Sequence, residues 1–269
     1  MKLQLVNLLF FSDKRKNLLL LLYEGPRNID EILDLLQGSR ISLLPHLKKL
    51  KEEGLIVQNE DVYQLSIIGN ILITKVRPLM DAASTLEEND SFWSHRKLDS
   101  IPFHLLRRIG ELKGIQLVEP GLTHGFDLFP KMINHFTGSS KVMLLFSYFH
   151  PQIPSFSLEF AKKDVKVQLI LSRDSFDRFS GDFRDTGEEI LAKKNATIFV
   201  HAGNPLEIPS LIAISETAVL LGFFNKKGKF EGQYLLSFEP RALAWGRELF
   251  EYYIERSEKV CSMNYSDCS

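Results

Sequence analysis

Between residues 39 and 51, side chains able to contact nucleic acid alternate with leucines at helical spacing. At 100° per residue, Leu43, Leu47 and Leu50 share one face, with Leu44 beside them, as in a helix packed on a core. The rest of the surface is polar and basic, and its candidate DNA-binding residues are Ser39, Arg40, Ser42, His46, Lys48, Lys49 and Lys51. We therefore predict a helix with one buried face and one face free to bind a partner.

The types of these side chains suit double-stranded DNA. Arg40 lies at the N-terminal tip of the helix and matches the two acceptors of guanine, where a bidentate contact discriminates by about 1–3 kcal/mol. A helix N-terminus also favours phosphate, which brings Ser39 into the same interface. The three lysines are expected mainly to hold phosphates. The competing interpretation is the solvated face of an ordinary amphipathic helix.

The neighbouring elements favour DNA contact over a merely solvated face. Residues 12–23 and 28–36 predict two short helices, and Gln37-Gly38-Ser39 forms the turn before the third. The third helix is expected to begin at Ser39 or Ser42, and Pro45 favours a start near Ser42 or an irregular first turn. Residues 55–58 and 62–65 predict a hairpin. This order is that of a winged helix-turn-helix, whose third helix enters the major groove.

The charge balance limits how strongly one copy would bind DNA. Residues 1–77 carry 11 basic against 9 acidic side chains, and the hairpin tip Asn59-Glu60-Asp61 is acidic, so we expect the tip to stay off the phosphates. A homodimer on a two-fold site is therefore expected. The apolar stripe from Ile67 to Leu79 is either the dimer helix or a stripe packed on its own domain, and the sequence leaves both open.

The composition is that of a globular protein of two domains. The 269 residues are 44% hydrophobic and 25% charged with a net charge of −1, which excludes disorder and a global attraction to nucleic acid or membranes. The two cysteines, Cys261 and Cys268, fall in the last nine residues and predict a reducing compartment. No apolar run is long enough to span a membrane. We predict a cytoplasmic chain with a DNA-binding domain at 1–77, a connecting helix and linker at 78–100, and a regulatory domain at 101–269.

The second half alternates between helical and strand patterns, which favours an α/β sheet with crossovers. Strands are predicted at 141–146, 165–171, 196–201, 211–214, 218–224 and 234–238. His150, Arg173, Asp174 and His201 come just after predicted strands, where open α/β sheets place their ligand crevices. They form a candidate site for a small-molecule effector.

Several segments resemble one family of regulators over nearly the whole chain. They are Leu44-Pro45-His46-Leu47-Lys48-Lys49-Leu50, Glu53-Gly54-Leu55-Ile56, Phe92-Trp93-Ser94, 101–112, Leu169-Ile170-Leu171-Ser172, Pro209-Ser210-Leu211 and 245–253. The chain resembles the archaeal winged-helix transcriptional regulators of the methanogenesis and filamentation regulatory protein family. One departure is His95-Arg96-Lys97, where the family pattern would be acidic.

The resemblance implies a sequence-specific DNA-binding transcriptional regulator with an α+β and α/β architecture. Its C-terminal α/β regulatory domain would be similar to the phospholipase D fold. The catalytic pattern of that fold, H-x-K-x4-D, is incomplete here, because the seventh residue after His46 is Glu53 and after His95 is Pro102. The chain also has no phosphate loop, H-E-x-x-H motif or G-x-S-x-G elbow. We therefore expect no enzymatic activity, no metal and no cofactor.

Two other functions stay open on the sequence alone. One is a phosphoesterase-like hydrolase with a degenerate site in the C-terminal half. The other is a protein-interaction module whose winged helix binds another protein, which the acidic hairpin tip and small charge excess keep in view. A turnover screen on phosphodiesters would identify the hydrolase, and a strong dependence of affinity on salt would distinguish DNA binding from the protein-interaction module.

Overall fold

The computed structural model describes residues 4–119, 136 and 138–264. The chain divides into two compact units, Met1–Met80 and Asp81–Ser269. Cys268 lies outside the described residues. Within them, no helix is both long and apolar enough to cross a membrane.

The first unit consists of helices and a small antiparallel sheet. Its elements are α1 (Gln4–Phe10), α2 (Asp13–Tyr23), β1 (Arg27–Asn28), α3 (Ile29–Leu35), α4 (Arg40–Glu52), β2 (Ile56–Asn59), β3 (Val62–Leu65) and the start of α5 (Ile67–Glu88). The strand order is β1-β3-β2. Ser12 and Asn28 cap α2 and α3 with their side-chain oxygens, as short polar side chains do at helix starts. The predicted hairpin at 55–65 is confirmed.

Helix α4 begins earlier than the prediction near Ser42, because a capping box precedes it. Ser39 Oγ accepts a hydrogen bond from Ser42 N at 3.3 Å, and Ser42 Oγ accepts one from Ser39 N at 3.2 Å. Pro45 therefore lies inside the helix, where it removes the N–H that would bond to the carbonyl of Ile41. Ile41 itself is 89% exposed and so lies on the solvent side of the helix.

The core of the first unit joins α2, α4 and α5. Leu18, Leu19, Leu43, Leu47 and Leu50 are buried in it, as the leucine spacing of α4 predicts. From α5, the side chains of Ile73 and Val76 also enter this core. Four other members of the predicted apolar stripe remain exposed, namely Ile67, Ile68, Ile71 and Leu79. The stripe is thus divided between a buried face and an open face of one helix.

Gly69 sets how closely α5 approaches the hairpin. A β-carbon at this position would lie 2.0 Å from the carbonyl oxygen of Leu55, a backbone atom that cannot rotate away. Ser66 fixes the same contact, since its hydroxyl accepts a hydrogen bond from Gly69 N at 3.0 Å and donates one to Gly54 O at 2.5 Å. Only glycine fits between the helix and this carbonyl.

Gly69→Ala is therefore expected to destabilise the first unit by about 1–3 kcal/mol or more, because overpacking outweighs the roughly 1 kcal/mol that alanine gains in a helix. Chemical denaturation of the full chain, followed by circular dichroism, measures this. Asn70→Ala is the matched control, since Asn70 is the exposed neighbour on the same helix and its replacement should be neutral or slightly stabilising. Equal stability of the two variants would contradict the close approach.

The second unit is built on one mixed sheet. Its helices are the end of α5, α6 (Asp90–Trp93), α7 (Phe103–Leu106), α8 (Ile153–Lys162), α9 (Arg173–Asp182), α10 (Arg184–Leu191) and α11 (Pro240–Ile254), with 3-10 turns at Ile109–Leu112 and Pro205–Glu207. Its strands are β4 (Gln116–Val118), β5 (Lys141–Phe146), β6 (Lys166–Ser172), β7 (Ala196–His201), β8 (Leu211–Ile214), β9 (Val219–Gly222), β10 (Tyr234–Ser237) and β11 (Glu258–Lys259). The described residues place them in the order β11-β7-β6-β5-β8-β9-β10-β4.

Helices cover both faces of this sheet. Strands β5, β6 and β7 are parallel and joined through α8 and through α9 with α10, which confirms the predicted crossovers, whereas the other pairs are antiparallel. Successive strand residues alternate between two cores: Leu144 faces α8, α9 and α10, and Leu145 faces α11. The second unit therefore contains both helices and a sheet, as the alternating sequence pattern predicts.

The segment expected to form an exposed linker is instead part of the second core. Phe92 and Trp93 are buried against Phe223 and pack edge-on to each other at 5.3 Å between ring centroids. Trp93 Nε1 donates to the carbonyl of Thr85 at 3.0 Å. The acidic run at 87–90 suggested a linker, but the aromatic pair directly behind it has enough apolar area to fold against the sheet.

Candidate nucleic-acid interface

The face of α4 turned away from the core carries the side chains singled out from the sequence. Ser39, Arg40, Lys48, Lys49 and Lys51 are exposed, and Ser42 and His46 are half-buried. Their placement follows from the leucines, since burying Leu43, Leu47 and Leu50 turns the other side of the helix outward. The structure therefore brings all seven residues to one helix and its N-terminal tip.

Ile41 and Leu44 are apolar side chains on the same exposed surface, and the sequence reasoning did not select them. Ile41 is 89% exposed and Leu44 is 40% exposed. A large apolar side chain so open to water is unusual on a helix whose other apolar residues are buried. In a major groove, such side chains can contact the methyl group of thymine. In the sequence, the position of Ile41 directly after Arg40 is the signal that could have placed it in the interface.

Arg40 is held by a carboxylate of the preceding helix. Its Nη2 lies 2.7 Å from Oδ1 of Asp30 on α3, and both side chains are more than half exposed. An exposed pair of this kind contributes about 0–1 kcal/mol and exchanges readily with other anions. Asp30 thus orients the guanidinium at the tip of α4, and the guanidinium can still exchange this carboxylate for another anion.

The lysines of α4 differ in their partners. Lys49 Nζ lies 2.8 Å from Glu53, and the hydrogen bond to that carboxylate raises the pKa of Lys49. Lys51 Nζ donates to Gln58 Oε1 on β2 at 3.1 Å. Lys48 lies with Leu44, Pro45 and Lys51 along a groove of about 530 Å³ between α4 and the hairpin. Lys48 and Lys51 therefore border a shared groove, while Lys49 is paired within its own helix.

Two cations of α2 approach the middle of α4. Burial lowers the pKa of His46, and repulsion by Arg15 and Lys14 lowers it further. The same guanidinium of Arg15 acts on Lys49. Arg15 Nε donates to the carbonyl of Leu8 at 2.8 Å, which fixes its position. The first turn of α2 thus extends the basic surface of α4, a contribution that the sequence order alone did not indicate.

The hairpin brings acidic character to the other side of α4. Glu60 and Asp61 at its tip are exposed, and Glu60 adopts a positive φ of 53°. Gln58 Nε2 donates to the carbonyl of Glu60 at 2.9 Å and so ties the tip to the strand. The basic surface is accordingly concentrated on α4 and the start of α2, and the hairpin tip repels phosphate.

The predicted effector residues follow three neighbouring parallel strands, and of the cavities described only the one at the end of β7 is lined by any of them. His150 lies in the loop after β5, Arg173 and Asp174 open α9 directly after β6, and His201 ends β7. Among the four, His201 lines a described cavity, at the end of β7. Position after a strand fixes the edge of the sheet on which a residue lies, but not the cavity that it faces.

Two family models match the chain. The N-terminal domain of the methanogenesis regulatory protein FilR1 matches residues 3–84, and the middle domain of that protein matches residues 126–256. A curated relative, the methanogenesis regulatory protein FilR1 of Methanothrix harundinacea (strain 6Ac), is 22% identical over 257 residues. The match covers 93% of this chain and 56% of the relative, so the chain spans little more than half of that protein's length.

A solved structure also resembles the chain. It is that of TrmBL2, an archaeal chromatin protein, described as showing a novel mode of DNA binding. The sequences are 13% identical, and the alignment covers 95% of this chain and 98% of the other with a TM-score of 0.41. A likeness at this level carries no argument about fold or function.

Proposed function

The chain belongs to the family of methanogenesis regulatory proteins represented by FilR1, and from this membership we propose that it is a sequence-specific DNA-binding transcription regulator. The observation that carries the proposal is the outward face of α4. There, Arg40 and Lys48 are exposed and His46 is half-buried, whereas Leu43, Leu47 and Leu50 of the same helix are buried. The first unit would act as a winged helix-turn-helix with α4 in the major groove.

Sequence would be read from the tip of α4. Arg40 would leave Asp30 for the O6 and N7 acceptors of guanine, Ser42 would bond to a base edge or phosphate, and Ile41 would contact a thymine methyl group. Ser39 would remain the cap of the helix and present its N-terminus to a phosphate. This division assigns base reading to the first turn of the helix.

Phosphate contacts would come from both sides of that helix. Lys48, Lys49 and Lys51 lie along α4, and Lys14 lies on α2 beside His46. Such contacts set affinity and orientation without reading sequence. Each lysine that reaches a phosphate adds about 0.9 to the slope of log affinity against log salt.

His46 is expected to make DNA binding tighter as the pH falls. Burial and the nearby cations lower its pKa in the free protein, so it is mostly neutral there, whereas a phosphate at the same position would favour the charged form. Binding would then take up a proton, and affinity would rise as the pH falls from about 8 to 6, around the ordinary histidine pKa of ~6.5.

Fluorescence anisotropy with a specific site measures this dependence at constant salt. His46→Gln should flatten it, whereas His104→Gln, which alters an exposed histidine of the second unit outside the proposed sites, should leave it unchanged. An equal pH dependence in His46→Gln and the native chain would remove His46 from the interface.

A homodimer would double the number of phosphate contacts. The open face of α5 supports this part of the proposal, because Ile68, Ile71 and Leu79 lie on one side of the helix and remain exposed. A two-fold dimer would require a DNA site with two-fold symmetry. We further propose that the second unit binds a small-molecule effector, that its likeness to the phospholipase D fold is without that fold's chemistry, and that the protein is cytoplasmic.

Genomic selection of bound fragments tests the proposal directly. The purified full chain is incubated with sheared genomic DNA at physiological salt, in parallel with Arg40→Ala and His46→Ala. The proposal expects a two-fold motif that either substitution weakens. A folded protein that recovers no motif, and whose residual DNA affinity does not change with salt, would instead favour a protein-interaction module.

A further inference from the structure

The second unit contains a cavity of about 350 Å³ at the carboxyl end of β7. Three segments contribute to its lining: residues 97–102, residues 201–208 at and after the end of β7, and residues 252–256 at and after the end of α11. Open α/β sheets bind ligands beyond the carboxyl ends of their parallel strands. The volume is at the lower end of the ~300–1,000 Å³ typical of small-molecule sites, so its ligand would be small.

The cavity presents charges of both signs. Lys97 and Arg256 supply two cations, and Asp99 and Glu207 supply two carboxylates. Two of these charged residues also contact residues other than one another. Arg256 lies 3.7 Å from Glu255, and Glu207 accepts a hydrogen bond from Asn204 Nδ2 at 3.3 Å. A plain anion or cation would meet two opposing charges here, whereas a ligand carrying both signs would satisfy each pair.

Two of the polar groups are fixed in advance of a ligand. The guanidinium of Arg256 stacks on the ring of Tyr252 at 3.7 Å from the centroid, and its Nη1 donates to the carbonyl of Tyr252 at 2.7 Å. Tyr253 is also fixed, since its hydroxyl donates to the carbonyl of Ser100 at 2.5 Å. A charge held in one orientation loses little entropy when it binds.

His201 supplies a hydrogen-bond acceptor. Its Nδ1 lies 3.1 Å from the carbonyl oxygen of Arg256, which can only accept, so Nδ1 carries the proton and Nε2 is left as the acceptor. Burial lowers the pKa of His201 and keeps the ring neutral. A β-carbon on Gly203 would lie 2.8 Å from Nε2, so glycine at this position leaves that atom accessible.

We propose that this cavity binds a free α-amino acid as a zwitterion. Lys97 and Arg256 hold the carboxylate, and Asp99, Glu207 and Nε2 of His201 receive the ammonium group. If the proposed function is correct, the amino acid would control DNA binding, and only this consequence rests on the proposed function. Binding itself belongs to the second unit and can be measured in the absence of DNA.

Isothermal titration calorimetry of the full chain with each of the common free amino acids tests the proposal. At least one is expected to bind saturably at millimolar concentration or below. Its N-acetyl and its amide derivatives, which each lack one charge, should bind about tenfold more weakly or worse, as expected for the loss of a hydrogen bond to a charged group. Absence of saturable binding by any amino acid, or equal binding of a derivative, would overturn the proposal.

Two charge-neutral variants separate a zwitterion from a plain ion. Lys97→Gln and Asp99→Asn should each weaken binding about tenfold or more. If Asp99→Asn instead strengthens binding, the ligand is a simple anion, and the proposal fails. Lys194→Gln, an exposed lysine outside the cavity, is the matched control and should bind as the native chain does. DNA is absent from these titrations, so their result does not depend on whether the chain binds DNA. The proposal of amino-acid binding and the proposal of DNA binding can therefore fail separately.

Discussion

Arg40→Ala is expected to lower the affinity for the specific DNA site by about 30-fold to more than 10,000-fold. A bidentate contact to guanine contributes about 1–3 kcal/mol of discrimination, and the proposed homodimer makes it twice. The side chain starts from an exposed ion pair with Asp30, which costs little to break. Electrophoretic mobility shift or anisotropy titration against the selected motif measures the loss.

Lys48→Ala is the matched comparison for this effect. Lys48 lies on the same face of α4 but would contact only phosphate, so its replacement should weaken specific and non-specific DNA about equally and lower the salt slope. Arg40→Ala should weaken the specific site much more than non-specific DNA. If both variants reduce the two affinities in the same ratio, Arg40 does not read sequence.

The partner of Arg40 gives an effect of opposite sign. Asp30→Ala removes the carboxylate 2.7 Å from the guanidinium and so frees Arg40 for DNA, which should raise affinity by up to about fivefold per copy. The rise should vanish in Asp30→Ala combined with Arg40→Ala, since little pairing remains to be lost. A gain that persists in the double variant would show that Asp30 acts on DNA alone and not through Arg40.

Glu231→Ala is expected to destabilise the second unit by about 3–5 kcal/mol, because it leaves a buried guanidinium without its carboxylate. Arg96 is 3% exposed, lies 2.5 Å from Glu231 through Nη1, bonds to Gln233, and stacks over Phe92 at 4.7 Å. For a unit of this size the loss corresponds to a fall in Tm of roughly 6–20 °C. Differential scanning calorimetry of the full chain measures it.

The cost should depend on the charge that remains buried. Arg96→Met removes that charge and leaves an apolar side chain in its place, so Glu231→Ala should be less costly when Arg96→Met is also present. The exposed pair Lys162–Glu189 gives the control, since Glu189→Ala should cost less than about 1 kcal/mol. Additive effects of the two substitutions would contradict a coupled pair.

The local order of the first unit could be predicted because it depends on short-range rules. Apolar spacing located the buried face of α4, and turn residues located the hairpin, both within a few residues of the observed bounds. Of the two expected starts of α4, the capping box of Ser39 and Ser42 selects Ser39, whereas Pro45 favours Ser42. Both interpretations use local sequence, and the hydrogen bonds of the cap prevailed.

The surroundings of the site could not be predicted from spacing along the chain. Lys14 and Arg15 approach His46 only because α2 packs on α4, and Asp30 meets Arg40 across the turn between α3 and α4. The departure at His95-Arg96-Lys97 likewise has a structural reason. Arg96 is buried against residues 231 and 233, which are distant in sequence, and Lys97 borders the cavity of the second unit.

The ends of the large sheet have a consequence for how copies of the chain can meet. Within the described residues, the terminal strands β11 and β4 contain only two and three residues, and β11 consists of Glu258 and Lys259. So short and so charged an outer strand offers a second chain almost no backbone to pair with. Edge-to-edge pairing through β11 is thereby discouraged, whereas the open face of α5 offers an apolar surface of side chains.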